Sequence, residues 1–379
     1  MNPLLELQKY GQSIWYDNIE RRLLTGGGLA RMIAEDGVTG LTSNPTIFEK
    51  AIGGSRDYDE AIAALAAQGR SVEHIYEALA IEDIRQAADL LCPIYDRTNG
   101  VDGYVSLEVS PHLAYDTEKT VAEARRLFAA VNRANLMIKV PGTPEGIPAI
   151  EELIGSGINV NVTLLFAISA YEEAAWAYIR GLERLAAAGG DVSRVASVAS
   201  FFVSRIDTSA DKRLQARLAA TEDPAEQAAL RSLLGQIAIA NSKLAYQRFL
   251  QIFADPRFRA LAARGARVQR MLWASTSTKN PAYRDTRYVE ELIGPDTVNT
   301  VPQVTLDAFR DHGVVRGATV LEGVDEARAA VERLEALGIS LAEITAEVLE
   351  QGVQAFAASY DQLMAVIAAK RAALLVPAA

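Results

Sequence analysis

Short apolar runs recur along the chain, separated by longer stretches in which apolar residues return every three or four positions. The short runs are SIWYD (13–17), GVTGLTS (37–43), GYVSLEV (103–109), LMIKV (136–140), NVNVTLLF (159–166), VASVASFFV (195–203), VQRMLWAS (268–275) and TVNTVP (297–302). Runs of this length bounded by turn residues read as strands, and the stretches between them, such as TEKTVAEARRLFAAVNRA and AISAYEEAAWAYIRGLERLAAAG, read as helices. Strand–helix alternation predicts a parallel sheet. Eight repeats of the unit predict a closed (β/α)8 barrel of the α/β class, a TIM barrel with additional N- and C-terminal helices.

The 379 residues exceed what such a barrel needs. The surplus lies in a helical N-terminus, in a helical segment spanning 214–253, and in C-terminal helices over 339–375. No Pro/Ser-rich linker separates these from the rest, so 1–379 reads as a single domain.

Bulk properties narrow the function. The formal net charge of −10 argues against nucleic acid or an anionic membrane as a general partner, while leaving room for a local basic pocket. Cys92 is the one cysteine, so no intramolecular disulfide can form. The start MNPLLELQKYGQ lacks the basic-then-apolar pattern of a signal peptide, and no apolar run is long enough to span a bilayer. A cytoplasmic enzyme is the expectation. Sequence leaves the oligomeric state open between monomer and homodimer.

Candidate chemistry begins at NLMIKVPGTPEG, where Lys139 interrupts a strand of Leu136, Met137, Ile138 and Val140. An ordinary lysine is a cation at neutral pH and no nucleophile. Apolar surroundings disfavour the charge, which is how Schiff-base lysines become reactive. The alternative is a buried stem whose ammonium reaches solvent or a carboxylate. Several other strands also turn polar at their C-terminal ends, which in a barrel of this kind form the active-site mouth. Asp17 and Glu108 are candidate proton shuttles there. Spacing alone favours Asp17 as a cap of the next helix; Glu108 shares a face with Ser106 and can point into the lumen. Asn159, Asn161 and Thr163 fall on one side by period two, as a substrate-lined interior or as a satisfied interior layer. Asn44-Pro45 makes a good helix start. Ser200 and Arg205 suit a phosphate monoester, although a surface salt bridge also explains the arginine. The hydroxyls of Ser275, Thr276, Ser277 and Thr278, followed by Lys279, could cradle a phosphate or form a turn. Three scattered histidines and the absence of HExxH, Cys/His, GxGxxG or Walker spacing disfavour any metal or nucleotide.

GLTSNPTIFEKAI, SLEVSP, LMIKVPGTPEGIPAI, INVNVTLLF, ASFFVSRID and WASTSTKNP together resemble, in order and spacing, the transaldolases of the longer bacterial type. The likeness covers nearly the whole chain. It implies a class I aldol-type barrel needing no metal or organic cofactor. Such a barrel moves a dihydroxyacetone unit from a ketose phosphate (sedoheptulose 7-phosphate or fructose 6-phosphate) to an aldose phosphate (glyceraldehyde 3-phosphate or erythrose 4-phosphate) in the non-oxidative pentose phosphate pathway. By resemblance, Lys139 is the Schiff-base lysine, Asp17 the acid/base at the C4 hydroxyl, and Glu108 a carboxylate working through a water held by Thr163. Thr42, Asn44 and Asn161 match positions that bind the dihydroxyacetone hydroxyls, and Ser200 and Arg205 match the phosphate site. The segment at Ser275 departs from the family pattern, which carries a second arginine there; the expectation is that Lys279 supplies that charge. Fructose 6-phosphate aldolases are shorter relatives with glutamine and tyrosine where this chain has Glu108 and Phe202, so both positions favour transfer over release.

Overall fold

The computed structural model describes residues 2–375. Among them the strands β1 (Gln12–Tyr16), β2 (Val38–Thr42), β3 (Val105–Glu108), β4 (Leu136–Pro141), β5 (Val160–Leu165), β6 (Ser197–Phe202), β7 (Arg270–Ala274) and β8 (Thr297–Val301) close into a parallel barrel in sequence order. The strand–helix alternation is therefore realised in full. Six strands come out shorter than their apolar runs, trimmed at one or both ends, while β1 keeps five residues one position earlier and β4 gains Pro141; residues trimmed at the C-terminal ends build the mouth. Ser43 follows β2, and its carbonyl accepts a hydrogen bond from a side chain of β4. Ser275 follows β7 with φ of +55°, a left-handed turn uncommon outside glycine.

Every strand is buried along nearly its whole length, as expected where helices cover the outside and side chains fill the lumen. Trp15 shares a face of β1 with Asp17 and sits one step below it. Its indole donates to Asp102 at 2.7 Å. Gly40 of β2 leaves room for that indole. A Cβ built on Gly40 would lie 2.4 Å from the Trp15 ring. The barrel floor is tied by polar groups: Arg270 donates to the Ser13 hydroxyl (2.7 Å) and the Thr297 carbonyl (2.6 Å), and Ser13 in turn donates to Asp102.

The 214–253 segment, expected as one long helical stretch, is broken into the end of Ser204–Ala220, then Pro224–Leu233 and Ile237–Phe253. The breaks are chemical. Asp223 caps the second helix with Pro224 at its first position, and Gly235 takes φ of +67° while its N–H donates to Asp211 at 2.8 Å. Beyond Gly338 the C-terminal helices resolve into one helix of 35 residues, Leu341–Leu375. Ser359 accepts from Thr46 at 2.8 Å, Asp59 pairs with Lys370 at 2.7 Å, and Glu347 pairs with Arg213 at 2.7 Å. This helix is thereby anchored on both sides of the mouth. Among the described residues no helix is long and apolar enough to cross a membrane.

Gly40→Ala is expected to lower the midpoint of thermal unfolding, with overpacking worth about 1–3 kcal/mol. Unchanged melting by calorimetry would mean the lumen has slack that the Trp15–Gly40 contact does not show.

Candidate active site

Lys139 projects from β4 into the lumen and is 5 % exposed. Its surroundings are not the purely apolar ones its strand neighbours suggest. The Nζ donates to the Ser43 carbonyl at 3.0 Å and stands 3.2 Å from Glu108 Oε2, its register partner on β3. The pair is within ion-pair distance but not aligned as a hydrogen bond. Among the described residues both Glu108 oxygens and the Thr163 hydroxyl, all buried, lack a hydrogen-bond partner. Burial pushes the Glu108 carboxyl above the usual carboxylate range, against the opposing pull of the Lys139 charge.

Asp17 follows β1 directly and does not cap a helix. The next helix, Arg21–Thr25, starts at Glu20 without a side-chain cap. The Asp17 carboxylate instead accepts from Thr42 at 2.6 Å, and Thr42 also contacts the Thr300 hydroxyl at 2.6 Å. Burial raises the Asp17 carboxyl too, opposed by the Thr42 hydrogen bond and, less, by Lys139. Asn44 does both things open to it: its Oδ1 caps the helix Pro45–Gly54 through the Ile47 N–H at 3.0 Å, and the residue lines the cavity.

On β5 the period-two reading splits by level. Asn159 is satisfied at the floor by the Ala134 and Leu136 carbonyls and the Ala196 N–H. Asn161 is held between Ser106 (3.0 Å) and Ser200 (2.7 Å), a satisfied layer that meets the cavity only at Ser200. Thr163 reaches the cavity wall at a bulge, where Val162 and Leu165 oppose Ala199 and Phe201 and Leu164 takes φ of +59°. The register of Thr163 with Pro141 of β4 is regular, and left-handed non-glycine residues such as Leu164 gather at functional sites.

A cavity of about 190 Å³ joins Asp17, Thr42, Asn44, Lys139, Thr163 and Ser200 to Arg205 and Lys279; Glu108 stands beside Lys139 but lines a separate, neighbouring pocket. Arg205 lies half-buried in the first turn of the helix Ser204–Ala220, over the Phe202 ring at 5.5 Å and the Phe356 ring at 5.9 Å. Among the described residues it makes no ion pair, so the surface salt bridge open to it from sequence is not formed. Burial lowers its guanidinium from the ordinary value. The hydroxyl cluster after β7 divides by alternation. Ser275, Ser277 and the exposed Lys279 line the cavity, while Thr276 bonds Asn299 and Thr278 bonds the Arg284 and Asp285 carbonyls, making the turn.

Sequence reasoning missed Thr300, Pro302 and above all Phe356, which lines the cavity from the C-terminal helix with its ring 5.9 Å from Lys139 Nζ. The signal for Phe356 was Gly352, four residues earlier in an otherwise good helix. A larger groove of about 640 Å³ on the outer helices shares no residue with this cavity. Its charges pair among themselves, as in Arg284–Glu290 at 3.0 Å and Lys243–Glu291 at 3.5 Å.

The arrangement offers a buried amine, two carboxyls whose proton affinity burial raises, and beyond them two cations, Arg205 and Lys279, that form no ion pair among the described residues. Three curated proteins named Transaldolase illustrate the likeness to known sequences. That of Thiobacillus denitrificans is 51 % identical over 368 residues (97 % of this chain, 100 % of that one). That of Trichodesmium erythraeum is 48 % identical over 365 residues (96 % of each). That of Thermobifida fusca is 48 % identical over 372 residues (98 % and 99 %). The family model described as Transaldolase/Fructose-6-phosphate aldolase matches residues 14–367, and the chain belongs to that family.

Proposed function

We propose that the chain is a transaldolase. It transfers a dihydroxyacetone unit from sedoheptulose 7-phosphate or fructose 6-phosphate to glyceraldehyde 3-phosphate or erythrose 4-phosphate, through a Schiff base on Lys139, as in the non-oxidative pentose phosphate pathway. The observation that carries this reading is the buried amine 3.2 Å from a carboxylate whose oxygens are otherwise unpartnered.

Attack on the ketose carbonyl needs the amine to lose a proton, and Glu108 is the acceptor within reach. A carboxyl raised by burial takes that proton more readily than an exposed one would. Loss of water from the carbinolamine then returns the proton to the departing hydroxyl. Glu108 and Thr163 are the pair suited to hold that water, each having buried polar atoms to offer it. Asp17 takes the C4 hydroxyl proton as the C3–C4 bond breaks, and the iminium accepts the electron pair as an enamine. The enamine then attacks the acceptor aldehyde, and Asp17 gives the proton back to the new hydroxyl. Thr42 fixes the carboxylate that does this.

At the far end Arg205 presents its N–H fork to a phosphate. A cation in a first helical turn opposes the helix dipole, a cost an anion removes. Lys279 adds a point charge in place of the fork that the family pattern carries. Transfer rather than release is supported by the relatives' shared name over nearly their full length and by Glu108 and Phe202.

Borohydride reduction in fructose 6-phosphate is expected to add the mass of a reduced sugar adduct at Lys139. Lys139→Met should lower kcat by at least on the order of a thousandfold. An adduct on another lysine, found by peptide mass mapping, would overturn the assignment. Because burial raises both Asp17 and Glu108, protonation silences them at higher pH than an ordinary carboxylate. The acid limb of kcat/KM should therefore lie above the ordinary carboxylate range. Glu108→Gln should remove one of its components; an acid limb within the ordinary carboxylate range would refute the buried-acid account. Lys279→Met should raise KM for fructose 6-phosphate about tenfold, the loss of one charge-assisted hydrogen bond of about 1.5 kcal/mol, with kcat little changed. An unaltered KM would remove Lys279 from the phosphate site.

A further inference from the structure

Transfer demands that the covalently held three-carbon unit outlive the departure of the first product, so water must be kept from it until an aldehyde arrives. The cavity wall nearest Lys139 that can do this is not part of the barrel. Phe356 comes from the C-terminal helix, is 5 % exposed, and holds its ring 5.9 Å from both Lys139 Nζ and the Arg205 guanidinium carbon. Its position depends on Gly352, one turn earlier on the same helical face. A Cβ on Gly352 would lie 3.0 Å from Leu164 Cδ2 and 3.2 Å from Arg205 Nη1. A glycine in a helix interior is unfavourable, and here it lets the helix backbone settle against the bulge that carries Thr163.

We propose that Phe356 is a specificity-determining residue that partitions the Lys139-bound dihydroxyacetone unit between transfer to an aldehyde and loss to water. The proposal rests on the Schiff-base reading above. An aromatic ring offers no conventional hydrogen bond to a sugar; besides its face-on contact with Arg205, it occupies space that water would otherwise take. The ring stands 5.9 Å from both the amine and the arginine, beside the region the acceptor enters on the proposed reading. It yields to an aldehyde that brings a phosphate to Arg205, and not to solvent. The competing leak is balanced as follows. The enamine carbon takes back the proton Asp17 received, giving the iminium. The oxygen of one water adds to the iminium carbon, the C–Nζ bond breaks, and both water protons finish on the amine as ammonium. Free dihydroxyacetone leaves.

The test compares wild type with Phe356→Ala, Phe356→Leu and Ser359→Ala in two assays: dihydroxyacetone released from fructose 6-phosphate alone, and transfer to erythrose 4-phosphate. Phe356→Ala should raise the ratio of release to transfer several-fold, with Phe356→Leu restoring most of the wild-type ratio. Ser359→Ala removes the Thr46 hydrogen bond that tethers the same helix without touching the cavity, and its ratio should stay at the wild-type value. Borohydride labelling of Lys139 is run on every variant. Labelled variants with an unchanged ratio would overturn the role of Phe356 while leaving the Schiff base intact, including when both rates fall together because the helix is loosened. An equal rise in Ser359→Ala would also overturn it, since helix mobility would then be the cause. Wild type that takes no label at Lys139 would sink the Schiff-base reading first and this inference with it.

Discussion

The structure turns on a lysine and a glutamate placed side by side in the lumen of a closed barrel, with almost no solvent to screen them. Removing two charges from water costs several kcal/mol per ion, and their attraction offsets this only where the surroundings fix the geometry. Lys139 and Glu108 are register partners on adjacent parallel strands, so the barrel ladder itself sets their separation. No flexible loop is involved. Their imperfect alignment is informative as well: a fully satisfied pair would be inert, whereas Glu108 keeps both oxygens available in a buried site.

The polar groups of the lumen divide by height. At the floor Arg270, Asp102, Ser13 and Thr297 bond mainly to one another and hold the barrel shut. In the middle, Ser106, Asn161 and Ser200 form a chain of hydrogen bonds across three strands. At the mouth the pattern changes, and unsatisfied or loosely satisfied groups accumulate: Glu108, Thr163, Arg205 and Lys279. The floor is not fully satisfied either, since Gln12, Gln269 and Arg270 each keep one buried atom without a hydrogen-bond partner among the described residues, but its cross-strand bonds give the rigidity that lets the groups at the mouth persist.

Much of this is legible in the sequence. Eight apolar runs announced eight strands because parallel strands buried on both faces leave little room for anything else. The buried lysine stood out because a charge inside such a run has a cost that needs a reason. Legibility failed where meaning depends on three dimensions. Asp17 could have been a helix cap by spacing, and only its bond to Thr42 from the neighbouring strand decides against that. Period two puts Thr163 on the same side as Asn159 and Asn161, and its β4 register is regular; what the sequence does not show is that height alone separates the satisfied pair from the threonine at the cavity, or that a bulge follows at Leu164. Thr276 and Thr278 look like Ser275 and Ser277 in the sequence, yet alternation sends one pair into the turn and the other to the cavity.

Phe356 is the sharpest case, because its helical periodicity is that of any core residue. Leu349, Val353 and Phe356 read as one apolar stripe, and a stripe says only that something is covered. What it covers is decided by where the helix lands. Thr46, Asp59 and Arg213, on three different helices around the mouth, bring it down across the barrel opening. The surplus helical length, which looked like decoration on a standard barrel, thus supplies one wall of the site. The rim alone would leave Arg205 beside a single ring; with the helix in place it has two, and it needs no carboxylate to stay put. A guanidinium held by aromatic faces keeps its N–H edge unspent, and that is the state in which it can still recognise an anion.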